Sequence, residues 1–199
     1  MKIAHGLMMK IFTSDLHFRH KRIVEFTNRG LECKSQQEHD NWLIDLWNKE
    51  VSAGDTVYHL GDFCFSKNYE EICSILNQLK GQIIIIKGNH DNRQYMNRLY
   101  IDGYIAGFFE YKEINIQEIP AVLFHFPISS WHKQGHGSLH LHGHCHGNHR
   151  DSRGKMLDVG LDSAYNIFGR HKFFDEHEII ELMKDKQIYI ADHHKERVD

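Results

Sequence analysis

Short hydrophobic segments alternate with amphipathic helical patterns in the first half of the chain. Apolar residues alternate or run together in each strand-like segment, and they recur every three or four positions in each helical one. The pattern predicts strands at residues 10–14, 56–60 and 83–87, and helices at 20–28, behind the capping box of Ser35 and Glu38, and at 69–79. This β-α-β-α-β order predicts an α/β domain with a largely parallel central sheet.

The second half of the chain is richer in strands. Its pattern predicts strands at 109–116, 121–126, 138–142 and 156–161, a helix at 178–184 behind Asp175, and a strand-like segment at 187–191. We expect this half to form a second sheet that packs on the first. Because no linker, repeat or low-complexity segment divides the chain, we expect one domain over residues 1–199, with a core at 10–162 and a C-terminal segment at 163–199.

Composition narrows the class of protein. The 199 residues are 41% hydrophobic and 26% charged with only 2 prolines, which is typical of a soluble globular domain. The net charge of −3 provides no positive field for an anionic membrane or nucleic acid. The apolar run at 83–86 is far shorter than the roughly 20 residues that span a bilayer, and the first residues lack the apolar region of a signal peptide. We therefore expect a cytoplasmic protein that uses no membrane partner, and its oligomeric state is left open.

Histidine is unusually abundant, with 18 residues, and histidine is the commonest side-chain metal ligand. Polar clusters follow the predicted strands: Asp15-Leu16-His17, Gly61-Asp62, Gly88-Asn89-His90-Asp91, His125 and Gly143-His144-Cys145-His146. Ligand sites in open α/β sheets lie at the carboxyl ends of strands, so five such ends can converge on one point. A mixture of Asp, His and Asn suits manganese, iron, zinc or nickel better than the all-oxygen sites of calcium and magnesium.

In this order the five clusters resemble the pattern of the calcineurin-like metallophosphoesterase family, which runs D-x-H, G-D, G-N-H-D or E, H, then G-H-x-H. The resemblance covers residues 11–161 and is closest to the small stand-alone bacterial and phage-type members. It implies a four-layer αββα fold, in which two packed mixed β-sheets are flanked by helices. It also implies two divalent metal ions as cofactors, with manganese as the first choice.

The resemblance assigns roles to individual residues. It implies that one ion is held by Asp15, His17, Asp62 and His146, and the other by Asp62, Asn89, His125 and His144. Asp62 would bridge the ions, and a hydroxide shared by them would attack phosphorus. His90 would be the acid that protonates the leaving oxygen, with Asp91 orienting it. The expected reaction is hydrolysis of a small phosphoester, preferably a phosphodiester, since small stand-alone members of the family often show that activity.

Some of these residues have a plainer interpretation when taken alone. Asp15 could cap the helix that follows its strand, and His125 could be a satisfied core histidine, but their places in the motifs favour metal ligands. His140 and His142 share a strand face with the last two histidines of the pattern, and we interpret both as structural. Strand alternation directs Cys145 away from them, so we expect a buried, inert thiol.

Two further residues are candidates for binding substrate. His20 and Arg93 follow the first and third clusters closely enough to reach a phosphate, although simple solvent exposure explains both equally well. Within enzymes, a phosphomonoesterase or a nuclease is the alternative. The basic stretches at 20–22 and 149–153 are too thin to indicate nucleic acid as a partner. Outside enzymes, the alternatives are a metal-dependent scaffold of the same fold, which would not need His90, and a metal-storage protein.

Overall fold

The computed structural model describes residues 8–150 and 153–190, and nine strands lie within them. The strands are β1 (Lys10–Thr13), β2 (Thr56–His59), β3 (Gln82–Ile86), β4 (Gly107–Phe109), β5 (Tyr111–Ile116), β6 (Ile119–Phe124), β7 (Leu139–His142), β8 (Met156–Asp158) and β9 (Phe174–Asp175). The α-helices of the same residues are α1 (Ile23–Phe26), α2 (Gln36–Glu50), α3 (Tyr69–Leu76), α4 (Arg93–Ile101), α5 (Leu161–Phe168) and α6 (Glu176–Met183).

The strands form two mixed sheets. The first has the order β4-β3-β2-β1-β9, in which β1 to β4 are parallel and β9 runs antiparallel to β1. The second has the order β5-β6-β7-β8, in which β6 to β8 are parallel and β5 runs antiparallel to β6. The parallel strands of each sheet therefore present their carboxyl ends at a common edge.

Each face of the first sheet buries a different core. Ile11, Val57 and Ile85 pack with side chains of α2, α3 and α4 on one face. On the other face, Phe12 and Ile86 belong to a second cluster that includes the apolar residues of β6 and β7. This alternation follows from the period of two along a strand. It confirms the predicted α/β class with two packed mixed sheets flanked by helices.

Helix caps account for several element boundaries. Ser35 accepts a hydrogen bond from the Glu38 backbone amide at 3.2 Å, as expected for the start of α2. Asp175 and Glu178 form a complete capping box at the start of α6, which begins at Glu176, two residues before the predicted start.

The predicted helix at 20–28 is wrong in length. Only Ile23–Phe26 is α-helical, and a 3₁₀ turn follows at Asn28–Leu31. Thr27 lies between them in an extended conformation, where its hydroxyl donates to the Ile23 carbonyl and accepts from the Arg29 amide. A threonine side chain that bonds nearby backbone groups competes with the helical pattern, which explains the interruption.

Other boundaries also differ from the prediction. The single strand predicted at 109–116 is two strands, because the chain leaves the first sheet after Phe109 and enters the second at Tyr111. The strand predicted at 156–161 ends at Asp158, and Leu161 already begins α5. Residues 187–190 form no strand, and residue 191 lies outside the described part of the chain.

The sequence pattern also missed two α-helices, α4 and α5, and one strand, β9. Asn92 caps α4 by accepting hydrogen bonds from the Gln94 and Tyr95 amides, so a start signal was present. Among the described residues, no helix is both long and apolar enough to cross a bilayer.

Candidate metal centre

The carboxyl ends of five strands bring the candidate ligands to one place. In the first sheet, Asp15, Asp62 and Asn89 closely follow the ends of β1, β2 and β3. In the second sheet, His125 and His144 closely follow the ends of β6 and β7. Backbone hydrogen bonds join the turns within each sheet, from the Asp15 amide to the Gly61 carbonyl at 2.9 Å and from the Gly143 amide to the His125 carbonyl at 2.9 Å. The cluster therefore lies where the edges of the two sheets meet.

The carboxylate of Asp15 has one anchored oxygen and one that faces imidazoles. Its Oδ2 accepts hydrogen bonds from the Ser14 hydroxyl and, at 2.9 Å, from the His144 amide. Its Oδ1 is buried and has no hydrogen-bond partner in the described part of the chain. This oxygen lies 3.6 Å from His17 Nε2 and 3.9 Å from His146 Nε2.

The two carboxylate oxygens of Asp62 also have different environments. Its Oδ1 accepts a hydrogen bond from the His90 amide at 2.9 Å. Its Oδ2 lies 3.9 Å from His17 Nε2 and 3.7 Å from His125 Nε2. Asp62 therefore reaches histidines that come from both sheets, which is the position expected of a shared ligand.

Two sets of ligand atoms are compact enough to hold a cation. The atoms of Asp15, His17 and His146 lie within 4.8 Å of one another, and so do those of Asp15, Asp62 and His125. The resemblance nominates Asp62 as the link between two ions, but in this geometry Asp15 belongs to both sets and Asp62 to the second set alone.

Asn89 extends the second set. Its Oδ1 lies 3.0 Å from His125 Nε2 and 3.1 Å from His144 Nδ1. The other ring nitrogen of His125 donates to the Leu60 carbonyl at 2.7 Å, which directs Nε2 toward Asp62 and Asn89. A bond of this kind to one ring nitrogen is the usual way in which proteins orient a metal-binding imidazole.

Backbone strain is concentrated at this cluster. Five of the seven candidate ligands adopt left-handed backbone conformations: Asp15 (φ 55°), His17 (φ 56°), Asp62 (φ 59°), His144 (φ 68°) and His146 (φ 49°). A residue other than glycine held in such a conformation costs on the order of 1 kcal/mol or more, and such residues cluster at functional sites. The surrounding fold therefore holds these side chains in place at a cost in stability.

Two glycines leave the space that the carboxylates occupy. A Cβ atom at Gly88 would collide with the Asp62 carboxylate, and one at Gly143 would collide with the Ser14 hydroxyl and the Asp15 carboxylate. The strands can therefore approach closely only because these positions carry no side chain.

The protonation states suit metal binding. Burial raises the pKa of Asp15, but the nearby imidazoles of His17, His146 and His125 outweigh it and hold the pKa well below its usual range. Burial lowers the pKa of His17 to about 4. An ionised carboxylate beside a neutral imidazole is the state that a metal ion requires. Asp15 Oδ1 and both His17 nitrogens also lack hydrogen-bond partners within the described residues, so the donor set fits a divalent transition-metal ion.

A buried arginine behind the cluster was missed by the sequence analysis. The Arg29 guanidinium is fully buried and forms a bidentate pair with Asp162, with nitrogen–oxygen distances of 3.0 and 2.8 Å. It also donates to the carbonyls of Asp15 at 2.6 Å and Leu16 at 2.8 Å. Asp162 Oδ2 in turn accepts from His146 Nδ1 at 2.6 Å. Arg29 and Asp162 therefore hold the D-x-H turn and His146 in one network.

This network has electrostatic consequences. Burial raises the pKa of Asp162, but the charge of Arg29 and the His146 bond hold it well below its usual range. Burial lowers the pKa of His146, whereas the hydrogen bond to Asp162 and the charge of Asp15 together raise it above its ordinary value. A lone arginine between two helical patterns gives little signal in a sequence, because only the folded chain shows what its guanidinium contacts.

Asp91 supports the turns of the cluster. Its carboxylate accepts hydrogen bonds from the amides of Asp62 at 2.9 Å, Phe63 at 3.0 Å and Gly88 at 2.8 Å. Within the described residues it makes no hydrogen bond or ion pair to the His90 ring, so the orienting contact expected from the resemblance is absent here. The contacts of Asp91 instead fix the relative position of the second and third clusters.

His90 lies at the solvent edge of the cluster. Its side chain is 47% exposed, and its Nε2 lies 3.9 Å from Asp62 Oδ2. The His90 ring packs against Phe65 at a centroid distance of 4.5 Å, and the Phe65 ring also stacks on His17 at 4.9 Å. Phe65 was not a candidate in the sequence, because it follows its strand without any motif.

The two candidate substrate contacts lie in different surroundings. The His20 ring contacts Phe65 at 4.5 Å and His17 at 5.6 Å, so it borders the cluster. Arg93, at the start of α4, is exposed and paired with Glu110. The structure therefore brings His20 beside the candidate ligands, whereas the Arg93 guanidinium is engaged in an ion pair with Glu110.

His140 and His142 lie apart from the candidate ligands. Both are buried in β7, and their rings donate to the carbonyls of Val122 and Gly143. Cys145 is half-buried, and burial raises the pKa of its thiol to about 11.

Comparison with known proteins gives relatives in archaea and phages. No family model matches the chain. The uncharacterized protein MJ1445 of Methanocaldococcus jannaschii is 35% identical over 147 residues, which are 72% of this chain and 73% of that protein. The gene 66 protein of Mycobacterium phage L5 is 27% identical over 192 residues, which are 82% of this chain and 91% of that protein.

A solved structure shares the fold. The protein of unknown function AQ665 from Aquifex aeolicus superimposes with a TM-score of 0.63 at 23% identity, over 88% of this chain and 100% of that one. An archaeal phosphodiesterase matches with a TM-score of 0.47 at 17% identity, over 84% of this chain and 98% of that one. The chain belongs to the family of the uncharacterized protein MJ1445 of Methanocaldococcus jannaschii, and it folds as a sandwich of two mixed sheets flanked by helices.

Proposed function

We propose that this protein is a divalent-metal-dependent phosphoesterase that hydrolyses a small phosphodiester. One observation carries the proposal: the ends of five strands place two carboxylates, one amide and four imidazoles around one point, where the unanchored oxygens of Asp15 and Asp62 face the imidazoles. The motif resemblance connects this donor set to phosphate ester chemistry.

We assign the candidate ligands to two ions. Asp15, His17, Asp62 and His146 would hold one ion, and Asp62, Asn89, His125 and His144 would hold the other, with manganese as the first choice and iron, zinc or nickel as alternatives. When bound, a pair of divalent ions lowers the pKa of water and neutralises charge on the phosphoryl oxygens.

The residues of the chain would perform the remaining tasks. Hydrolysis forms a bond from a water oxygen to phosphorus and breaks the bond from phosphorus to the ester oxygen, which leaves as an alkoxide unless it receives a proton. The Nε2 of His90, whose side chain is half-exposed, is the group that we expect to donate this proton. The Asp15 carboxylate would remain ionised, because the nearby imidazoles hold its pKa well below the usual range despite burial.

A diester is favoured over a monoester by charge. A monoester dianion carries a second negative charge, which proteins commonly meet with a bidentate arginine. Arg93, the arginine predicted to reach the phosphate, is paired with Glu110, and Arg29 is paired with Asp162 inside the fold. A diester carries a single negative charge and therefore needs less positive charge from the protein.

Hydrolysis of two chromogenic esters tests the proposal. Protein stripped of metal with a chelator is resupplied with manganese, nickel, zinc or magnesium, and turnover of bis-p-nitrophenyl phosphate and p-nitrophenyl phosphate is measured. We expect metal-restored turnover that favours the diester and that Asp62→Asn abolishes. Absence of turnover with two ions bound per chain would contradict the proposal and favour a scaffold of the same fold. A preference for the monoester would overturn the diester assignment alone.

A further inference from the structure

A cavity of about 390 Å³ opens beside His90, on the side of the first sheet that carries α3 and α4. This volume lies within the roughly 300–1,000 Å³ that is typical of small-molecule sites. Residues that line the cavity include Phe65, Ser66, Ile72, His90, Tyr95 and Met96. None of the seven candidate metal ligands is among the residues that line it.

The cavity has an apolar floor and aromatic walls. Ile72 of α3 and Met96 of α4 are buried in the floor and belong to the helix-side core. Phe65 and Tyr95 are half-buried, and the Tyr95 hydroxyl donates to the Lys67 carbonyl at 2.8 Å, which fixes its ring. Flat apolar groups pack well against such rings and against a methionine side chain.

The cavity adjoins the candidate metal centre through two residues that border both. His90 borders both, since its ring packs against Phe65 in the cavity while its Nε2 lies 3.9 Å from Asp62 Oδ2. Phe65 likewise borders both, because its other contacts are with His17 and His20. A molecule whose phosphorus lay at the centre could therefore extend past His90 into this space.

The position of His90, the proposed acid, determines which part of the substrate lies in the cavity. A general acid must lie within hydrogen-bond reach of the oxygen that it protonates. If His90 protonates the leaving oxygen, the organic group on that oxygen lies next to His90, and the cavity is the space beyond it.

We propose that this cavity binds the leaving group of the substrate and that this group carries a flat aromatic ring, as in an aryl or nucleoside phosphodiester. The inference rests on the proposed function and adds the substrate class to it. The group that remains on phosphorus is left unconstrained by the cavity.

Two non-hydrolysable probes test the inference by direct binding. Phenylphosphonate and methylphosphonate carry the same phosphonate head and differ in the ring. Their dissociation constants for the manganese-loaded protein are measured by isothermal titration calorimetry. We expect phenylphosphonate to bind about tenfold more tightly, because its ring becomes buried in the cavity.

Ser66→Trp places a large side chain at the mouth of the cavity and should bring the ratio of the two constants close to one. Ser129→Trp is the matched control, since Ser129 is exposed and lines a different cavity, next to Ile128 and His149. That variant should keep the ratio of the parent protein. Circular dichroism verifies the fold of both variants. If Ser66→Trp fails to fold, Tyr95→Leu serves instead, with an expected fall of about threefold in the ratio.

Each result has a defined meaning. Equal binding of both probes would overturn the aromatic leaving-group site and leave the phosphoesterase proposal standing. A preference for phenylphosphonate that persists in Ser66→Trp would place the ring elsewhere and also overturn the inference. Binding of neither probe to protein that holds manganese would overturn the inference, whereas the phosphoesterase proposal is decided by the turnover of the chromogenic esters.

Discussion

Four histidines at alternate positions of one segment have two different environments. His140 and His142 lie inside β7, where they are buried and hydrogen-bonded to backbone carbonyls. His144 and His146 lie beyond the strand in left-handed conformations, at φ 68° and 49°, and their rings face Asn89 and Asp15. The same residue type at the same spacing therefore serves structure in one half of the segment and a candidate metal centre in the other.

The two pairs differ in whether both ring nitrogens of the histidine have hydrogen-bond partners. His140 Nδ1 donates to the Val122 carbonyl and Nε2 accepts from the Ile128 amide, so both ring nitrogens are satisfied by backbone. His146 uses Nδ1 on Asp162 and leaves Nε2 toward Asp15. An imidazole can bind a metal ion only through a nitrogen that keeps its lone pair free. The position of a histidine along a strand does not reveal which condition holds.

The largest expected effect separates the two pairs directly. His146→Ala should abolish metal-dependent turnover and weaken metal binding by more than the roughly 100-fold that loss of a supporting contact produces. His140→Leu should retain the metal and most of the turnover, because its ring nitrogens already bond backbone. Metal content by mass spectrometry and turnover of bis-p-nitrophenyl phosphate check both variants. Equal metal loss in the two variants would contradict the distinction between structural and metal-binding histidines.

His90 sharpens the comparison, because it borders the site without being a candidate ligand. His90→Gln should lower turnover of an alkyl phosphodiester by about 10² to 10⁴ while metal content stays full. A p-nitrophenyl ester should be affected less, since its leaving group needs little protonation. Unchanged turnover of the alkyl ester would remove the acid role from His90.

Asp162 supports His146 and pairs with Arg29 behind the cluster. Asp162→Asn should weaken metal binding by about 10- to 100-fold, because His146 loses a charged partner at Nδ1 and Arg29 loses its counter-charge. Competition with a fluorescent chelator measures the affinity, and thermal unfolding of the metal-free variant reports stability separately. A loss of stability with unchanged affinity would make Asp162 purely structural.

The smallest expected effect concerns the structural pair and pH. Burial lowers the pKa of His140 from 6.5 to about 4. Between these values the unfolded chain binds a proton that the folded chain does not, so the stability of metal-free protein should fall as the pH decreases from about 6.5 to 4. Thermal unfolding across this range should show a shallower decline in His140→Leu, which has lost the group. An identical slope would mean that other buried histidines account for the whole effect.

The comparison also shows where sequence reasoning was sufficient. The motif residues were identifiable because each follows an apolar strand, and the structure brings Asp15, Asp62, Asn89 and the site histidines to one edge of the two sheets. The length of α1 was overestimated because the Thr27 hydroxyl interrupts the helix locally. Arg29 escaped notice because its partner Asp162 lies 133 positions away along the chain.

The sequence by itself determined the α/β class, the two-sheet arrangement and the set of polar clusters, because the periods of strands and helices and the order of elements are local properties of the chain. Only the tertiary structure decided which nitrogen of each histidine is free, which oxygen of each carboxylate is anchored, and that Asp91 supports the turns at Asp62 and Gly88. These properties depend on contacts between segments that lie far apart in the sequence. They exist only when the edges of both sheets meet.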